Sequence, residues 1–405
     1  MLRRFGRILA YLVAERRTFL QGFVAQLIAS LGSLAGGLVL GSITGTLHRL
    51  PGLLVLIPAA IAIRGNIFGA LGSRLGTSIH AGLFVVGRQR EGPLYQNLYA
   101  ATVLTFAISL LVGVLAKAMM SVFGEPSISL VDLVLISILG GVLASLFVAA
   151  FSIVLAIQAY RRGWDLDSVA APLITASGDM FTVPALFLAS FAVDIRWVTP
   201  ALAAALTVVT LYLLVRGLVT GMLTARRVVR ESVPILLLAA TIDLLAGLSL
   251  QSQLGRFSTY QALLVLVPPI IGNAGGLGGL LSARLASKLH LGVLTPRGRP
   301  ESLAVLDSLL VLVIAVAVYP LMALAADGLS LVTDLESPGL VPMVVISTMA
   351  GLMATFFAIL VAYYGAVATY RLGMDPDTYG IPLITSSMDF IGVICIVIAI
   401  LAVLG

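Results

Sequence analysis

YRRGWDLDSVAAPLITASGD, residues 160–179, returns as YRLGMDPDTYGIPLITSSMD, residues 370–389. The two stretches lie 210 positions apart, and between Ile136 and Asp179 17 of 44 positions match their counterparts without a gap. Accidental matching in an apolar chain would favour Leu and Val. The matches here include Tyr160, Arg161, Gly163, Asp165, Asp167, Pro172, Thr175, Ser177 and Asp179. Such self-similarity marks an internal duplication. The same shift pairs residues 53–58 with 263–268, Arg74 with Arg284, His80 with His290 and Gly82 with Gly292.

The duplicated unit belongs in a membrane. Of 405 residues, 60% are hydrophobic and 10% are charged, with a mean hydropathy of +1.11. Soluble domains carry about 25% charged residues, so the composition excludes a soluble enzyme and a nucleic-acid-binding domain. Cys395 is the only cysteine, which excludes disulfide frameworks and Cys-based metal sites. A spanning helix needs about 20 mostly apolar residues. Eleven segments qualify: 19–46, 53–86, 96–121, 131–158, 169–193, 197–219, 233–252, 261–291, 303–325, 341–365 and 379–404. The basic arm before the first is expected to lie on the membrane surface as an amphipathic helix, and no cleavable signal peptide is expected.

Basic residues set the direction. With a cytoplasmic N-terminus, one side holds 15 of the 24: Arg3, Arg4, Arg7, Arg16, Arg17, Arg88, Arg90, Arg161, Arg162, Arg226, Arg227, Arg230, Arg297, Arg299 and Arg371. The other side holds four, Arg49, Lys117, Arg196 and Arg256. This asymmetry places the N-terminus in the cytoplasm and the C-terminus outside. Each repeat has five spans, and the sixth span brings the chain back before the second copy begins. The expected fold is therefore all-α and polytopic: a first repeat over 1–195, a linker helix over 196–222 and a second repeat over 223–405. The two repeats run parallel about a pseudo-twofold axis along the membrane normal.

Four acids fall inside spans: Asp179, Asp243, Asp307 and Asp389. A carboxylate at mid-bilayer costs on the order of 3 kcal/mol, so it marks function by default. Asp179 and Asp389 are equivalent, and on a helix Thr175 and Pro172, or Thr385 and Pro382, share their faces. Each stripe offers one carboxylate with hydroxyl and carbonyl oxygens, hard ligands for Mg2+, Ca2+ or Mn2+. Two carboxylates balance one dication. Asp243 is aligned with Ser33 and offers a second ion or proton site. Asp307 is aligned with Asn97, and both a solvated helix start and a transport role are open for it. Asp165, Asp167, Asp375 and Asp377 start the fifth spans, either as helix caps or as a carboxylate ring at an entrance.

The second span carries Arg64-Gly65-Asn66 with Gly69 and Gly72, and its copy carries Asn273 with Gly275, Gly276, Gly278 and Gly279. Small residues at this spacing allow close helix packing. Asn66 and Asn273, as amides inside spans, need partners, and both are counted among the candidate metal-site residues. Arg74, Arg284, His80 and His290 are expected to snorkel to the interface or to pair with acids such as Asp165 and Asp375.

The Gly-Asn segment, the Asp-x-Asp start and the Pro-Leu-Ile-Thr-x-Ser-x-Asp run resemble the MgtE magnesium transporters. The duplicated arrangement resembles the solute-carrier branch of that family. The resemblance covers nearly the whole chain. It implies Mg2+ transport through a path between the repeats, with Mn2+, Co2+ or Ca2+ as related ions. It puts metal ligation on Asp179 and Asp389, and ion-facing oxygen on Thr175 and Thr385. The acidic cytosolic sensor domains of bacterial MgtE have no counterpart here, so their gate is not implied. Gly276 stands opposite Asn66, with Asn273 three residues earlier, which makes the halves unequal. The expected partners are the lipid bilayer and divalent cations, not nucleic acid, and the chain acts as a monomeric pseudo-dimer or as a homodimer in the plasma membrane. Alternatives are a Na+- or H+-coupled antiporter and a non-transporting scaffold; an enzyme is not expected.

Overall fold

A computed structural model describes residues 15–82, 89–162, 166–373 and 381–405. Among them are thirteen helices and no strand. The first repeat runs α1 (Arg16–Ser42), α2 (Thr44–Arg49), α3 (Leu53–His80), α4 (Pro93–Phe123), α5 (Leu130–Arg162) and α6 (Leu166–Ser190). The linker is α7 (Val198–Val219). The second repeat runs α8 (Leu223–Gln251), α9 (Leu254–Thr259), α10 (Ala262–His290), α11 (Ser302–Val332), α12 (Leu340–Leu372) and α13 (Ile381–Leu404). The duplication reaches helix ends: α9 and α12 begin and end 210 residues after α2 and α5.

Ten of these helices are long and apolar enough to cross a membrane. The eleventh expected span, 169–193, coincides with α6, several of whose side chains lie outside the described residues. The chain is an all-α polytopic membrane protein. Several ends differ from the sequence reading: α3 stops at His80 rather than 86, and α11 and α12 run on to Val332 and Leu372. Residues 19–46 do not form one helix: α1 stops at Ser42, and α2 follows with Thr44 and Leu47 buried. Its copy α9 buries Leu254 and Phe257. The span expected at 233–252 starts earlier, at Leu223, because Arg226, Arg227 and Arg230 are compatible with helix and only hydropathy changes there. The match of Gly82 with Gly292 has a backbone cause. Both close their helices in the left-handed region, at φ 68° and 70°, and donate to Ile79 and Leu289 carbonyls at 3.0 and 3.1 Å. Glycine enters that region without a Cβ penalty.

The helices assemble into two bodies, 35–259 and 1–34 with 260–405. In the first, α3 packs on α4, α6 and α8, and α5 packs on α4, α6 and α7. In the second, α10 packs on α11, α12 and α13. α8 thus lies with the helices of the first repeat, and α1 up to Leu34 lies with those of the second, while its last residues stay in the first body. A Cβ on Gly247 of α8 would overlap the Val55 backbone of α3, while Gly22 of α1 faces Ile314 and Leu280. α7 packs a thin edge on α4 at Gly217 and Val103. Its other face exposes Val208, Leu211, Tyr212 and Val215, as a lipid-facing helix does.

Candidate functional site

Asp179 and Asp389 are both buried, at 4% and 8% exposure. Each lies on the fifth long helix of its repeat, where a second-span helix crosses closely. In the first body, Gly178 faces the Cβ of Arg64 and the backbone nitrogen of Gly65. A Cβ on Gly36 of α1 would collide with the Asp179 carbonyl oxygen. The Asp179 segment is therefore clamped between α3 and the C-terminal part of α1. In the second body, Gly275 faces Thr385, Gly278 faces Ile384 and Met388, and Gly392 faces Ile271. Most of these glycines are there for close packing. Gly69 and its copy Gly279 are different, because a Cβ on either meets nothing within 4 Å among the described residues.

Thr385 donates to the Pro382 carbonyl at 3.0 Å, one turn back along its own helix. The side chains of Thr175 and Asp167, and all of Asp165, Asp375 and Asp377, lie outside the described residues.

The amides divide unequally. Asn273 Nδ2 donates to Ser30 Oγ at 2.9 Å, to the Pro269 carbonyl at 2.7 Å and to Met322 Sδ at 3.0 Å. Its Oδ1 is buried without a partner among the described residues. Where the first repeat has Asn66, Gly276 leaves room for the side-chain amide of Gln26. A Cβ there would come 2.8 Å from Gln26 Nε2. Gln26 is 8% exposed. In the first body the helix exchanged into the same place carries Leu236 at the position of Gln26. An amide carried by the second span in one repeat is matched by an amide on the exchanged first helix in the other. The sequence reading missed Gln26, although the paired change Asn66/Leu236 to Gly276/Gln26 is visible in the duplication.

The arginines find partners on the third span. Arg74 Nε donates to Asn97 Oδ1 at 2.7 Å. Arg284 Nε and Nη2 donate to Asp307 Oδ1 at 3.0 and 2.7 Å. Lys288 reaches Asp307 Oδ2 at 2.5 Å, and Glu15 meets Arg284 at 3.2 Å. Asp307 is fully buried, so it is not a solvated helix start. Its ion pairs offset the desolvation that an isolated carboxylate would suffer. Asp243 is also fully buried, on α8 against α3 and α4. His290 bonds the Ala286 carbonyl through Nδ1 and meets Tyr370 edge-on. Tyr363 and Tyr364 hydroxyls donate to the carbonyls of Arg297 and Gly298, and Arg371 donates to that of Pro296, tying this loop to α12. Among the described residues no three His, Cys, Asp or Glu side chains gather around one point.

Comparison with known proteins finds the same duplication. The family model described as "MgtE: Divalent cation transporter" matches residues 57–189 and again 267–399. The rat protein "Solute carrier family 41 member 3" is 23% identical over 398 residues, covering 93% of this chain and 85% of its own. The mouse "Solute carrier family 41 member 2" is 23% identical over 397 residues, covering 92% of this chain and 68% of its own. No solved structure matches. Asp179 and Asp389 each lie inside one of the two matched segments, and the chain belongs to the MgtE family of divalent cation transporters.

Proposed function

We propose that this chain carries Mg2+ across the plasma membrane, with Asp179 and Asp389 as the carboxylate ligands of a partly hydrated ion. The reading is carried by one observation: two buried aspartates occupy equivalent places on the fifth long helices of a duplicated chain. Carboxylates inside a bilayer are costly and mark function by default, and a passing dication balances the charge of two of them at once. Mg2+ gives up its waters reluctantly, so direct ligands are few and neutral oxygens from Thr175, Thr385, Asn66 and Asn273 complete the path. In this reading the repeats 1–195 and 223–405, joined by the linker 196–222, run parallel and enclose the path about a pseudo-twofold axis. The N-terminus is cytoplasmic and the C-terminus external. The chain acts as a transporter rather than an enzyme, as a monomer or a homodimer, and Mn2+, Co2+ and Ca2+ are competing ions.

The burial of Asp243 supports a second reading, in which Na+ or H+ binds there and exchanges against Mg2+. Proteoliposome flux separates the readings. Asp179→Asn and Asp389→Asn are each expected to lower Mg2+ uptake at least tenfold in folded protein. Wild-type uptake in both would refute the site. Uptake that follows an imposed Na+ or proton gradient, and loses that response in Asp243→Asn, would establish exchange.

A further inference from the structure

Among the described residues, Arg64 is a buried cation with no anion paired to it. It stands near the middle of α3 at 1% exposure. Nη1 donates to the Ala60 carbonyl at 3.0 Å and Nη2 to Ser109 Oγ at 2.9 Å. Nε is buried with no partner, and no ion pair reaches the residue, among the described residues. A lone charge inside a membrane protein is costly and marks a functional position by default.

Packing does not account for it, because the second repeat solves the same packing problem without charge. There Ala274 replaces Arg64 and Tyr319 replaces Ser109. A Cβ on Gly141 would strike Arg64 Nη2 and Ser109 Oγ, and a Cβ on the equivalent Gly351 would strike the Tyr319 ring. The same slot is thus filled once by Arg64 with Ser109 and once by Tyr319 beside Ala274. The neutral pair fits, so the guanidinium is retained for its charge. That charge is rooted beside the ligand-bearing helix, since Gly178, the residue before Asp179, faces the Cβ of Arg64 at 3.5 Å from its own Cβ position.

We propose that Arg64 is a fixed counter-charge that weakens cation binding at the Asp179 segment, so that a dication which enters can also leave. The inference rests on Asp179 being an ion ligand. Conduction needs binding strong enough to admit an ion and weak enough to release it. A fixed positive charge in a low-dielectric interior acts over a longer range than in water, and it repels a dication twice as strongly as a monocation.

The test uses the full chain. R64A/S109Y installs the second repeat's own pair, R64M removes the charge at similar length, and R64K keeps it. Mg2+ affinity is measured by calorimetry in detergent and maximum Mg2+ flux in liposomes. R64A/S109Y and R64M are expected to bind Mg2+ about tenfold more tightly and to carry a lower maximum flux, with R64K near wild type on both. Structural damage moves binding the other way, so unchanged or weaker binding in both charge-free variants overturns the proposal. D179N is measured alongside. If D179N binds Mg2+ as wild type does, the reading of Asp179 fails. The counter-charge proposal then falls with it, whereas weaker binding in D179N together with no tightening in the charge-free variants overturns the role of Arg64 alone.

Discussion

Arg284 and Asp307 form a part-buried pair through two nitrogens, at 3.0 and 2.7 Å, on the scaffold that holds Arg74 and Asn97 in the first repeat. Lys288 completes the charged set, where the first repeat has Ser78. The same arginine is therefore satisfied once by an amide and once by a carboxylate shared with a second cation. Asp307 is fully buried while Arg284 and Lys288 are 16% and 22% exposed. Asp307→Ala strands two cations against each other and is expected to destabilise the protein by about 3 kcal/mol. Asp307→Asn with Lys288→Ser rebuilds the neutral set of the first repeat and should lose about 1 kcal/mol. Thermal denaturation in detergent compares them. Equal losses would mean that the ion pairs do not hold α10 to α11.

Gly36 carries a stricter demand than the other glycines near the site. Its Cβ would overlap the Asp179 carbonyl oxygen, which is helix backbone and cannot rotate away. Gly36→Ala must push α1 from α6, an overpacking cost of about 1–3 kcal/mol, and it should lower Mg2+ uptake by moving the Asp179 segment. Gly69→Ala and Gly279→Ala place a methyl where no described atom lies within 4 Å. Both should keep or slightly raise stability through helix propensity. Melting and flux of the three variants, side by side, check this. Wild-type behaviour in Gly36→Ala would mean that the α1–α6 crossing is looser than its geometry.

Binding of Mg2+ should also be visible without flux. A ligand that binds only the folded state adds about 2.7 kcal/mol at a hundred times its dissociation constant. Chelation is therefore expected to lower the melting temperature of the wild type and to change that of an Asp179→Asn/Asp389→Asn double variant little. A chelator effect of the same size in both proteins would place the stabilising ion elsewhere.

The helices and the duplication were legible because they rest on local signals, apolar run length and repeated residue identity. Three features were not. The break between α1 and α2 falls in a stretch that hydropathy reads as continuous, and it depends on Leu47 finding a core. The partners of Arg74 and Arg284 lie 23 residues away on another helix, at a spacing with no local motif. The duplication did carry that signal, since both arginines recur with Asn97 or Asp307 at the same distance. The exchange of first helices is a tertiary event, and without it Gln26 cannot be brought to Gly276. The aspartates themselves were readable because burial cost makes any intramembrane carboxylate conspicuous.

The amide exchange gives the sharpest test of that tertiary arrangement. Gln26 lies across Gly276, and the equivalent positions in the first repeat are Leu236 and Asn66. Gly276→Asn alone places a side chain into the Gln26 amide and should destabilise by about 1–3 kcal/mol. Gln26→Leu alone leaves the mirror defect, an aliphatic side chain over a glycine with no amide in the slot. The double variant Gln26→Leu/Gly276→Asn reproduces the pair that the first repeat already uses. Neighbouring positions couple by about 0.5–3 kcal/mol in such cycles, and here the coupling should be favourable, so the double variant melts above Gly276→Asn. Strict additivity of the two changes would show that α1 does not pack on α10 at this point, and the exchange of first helices would have to be given up.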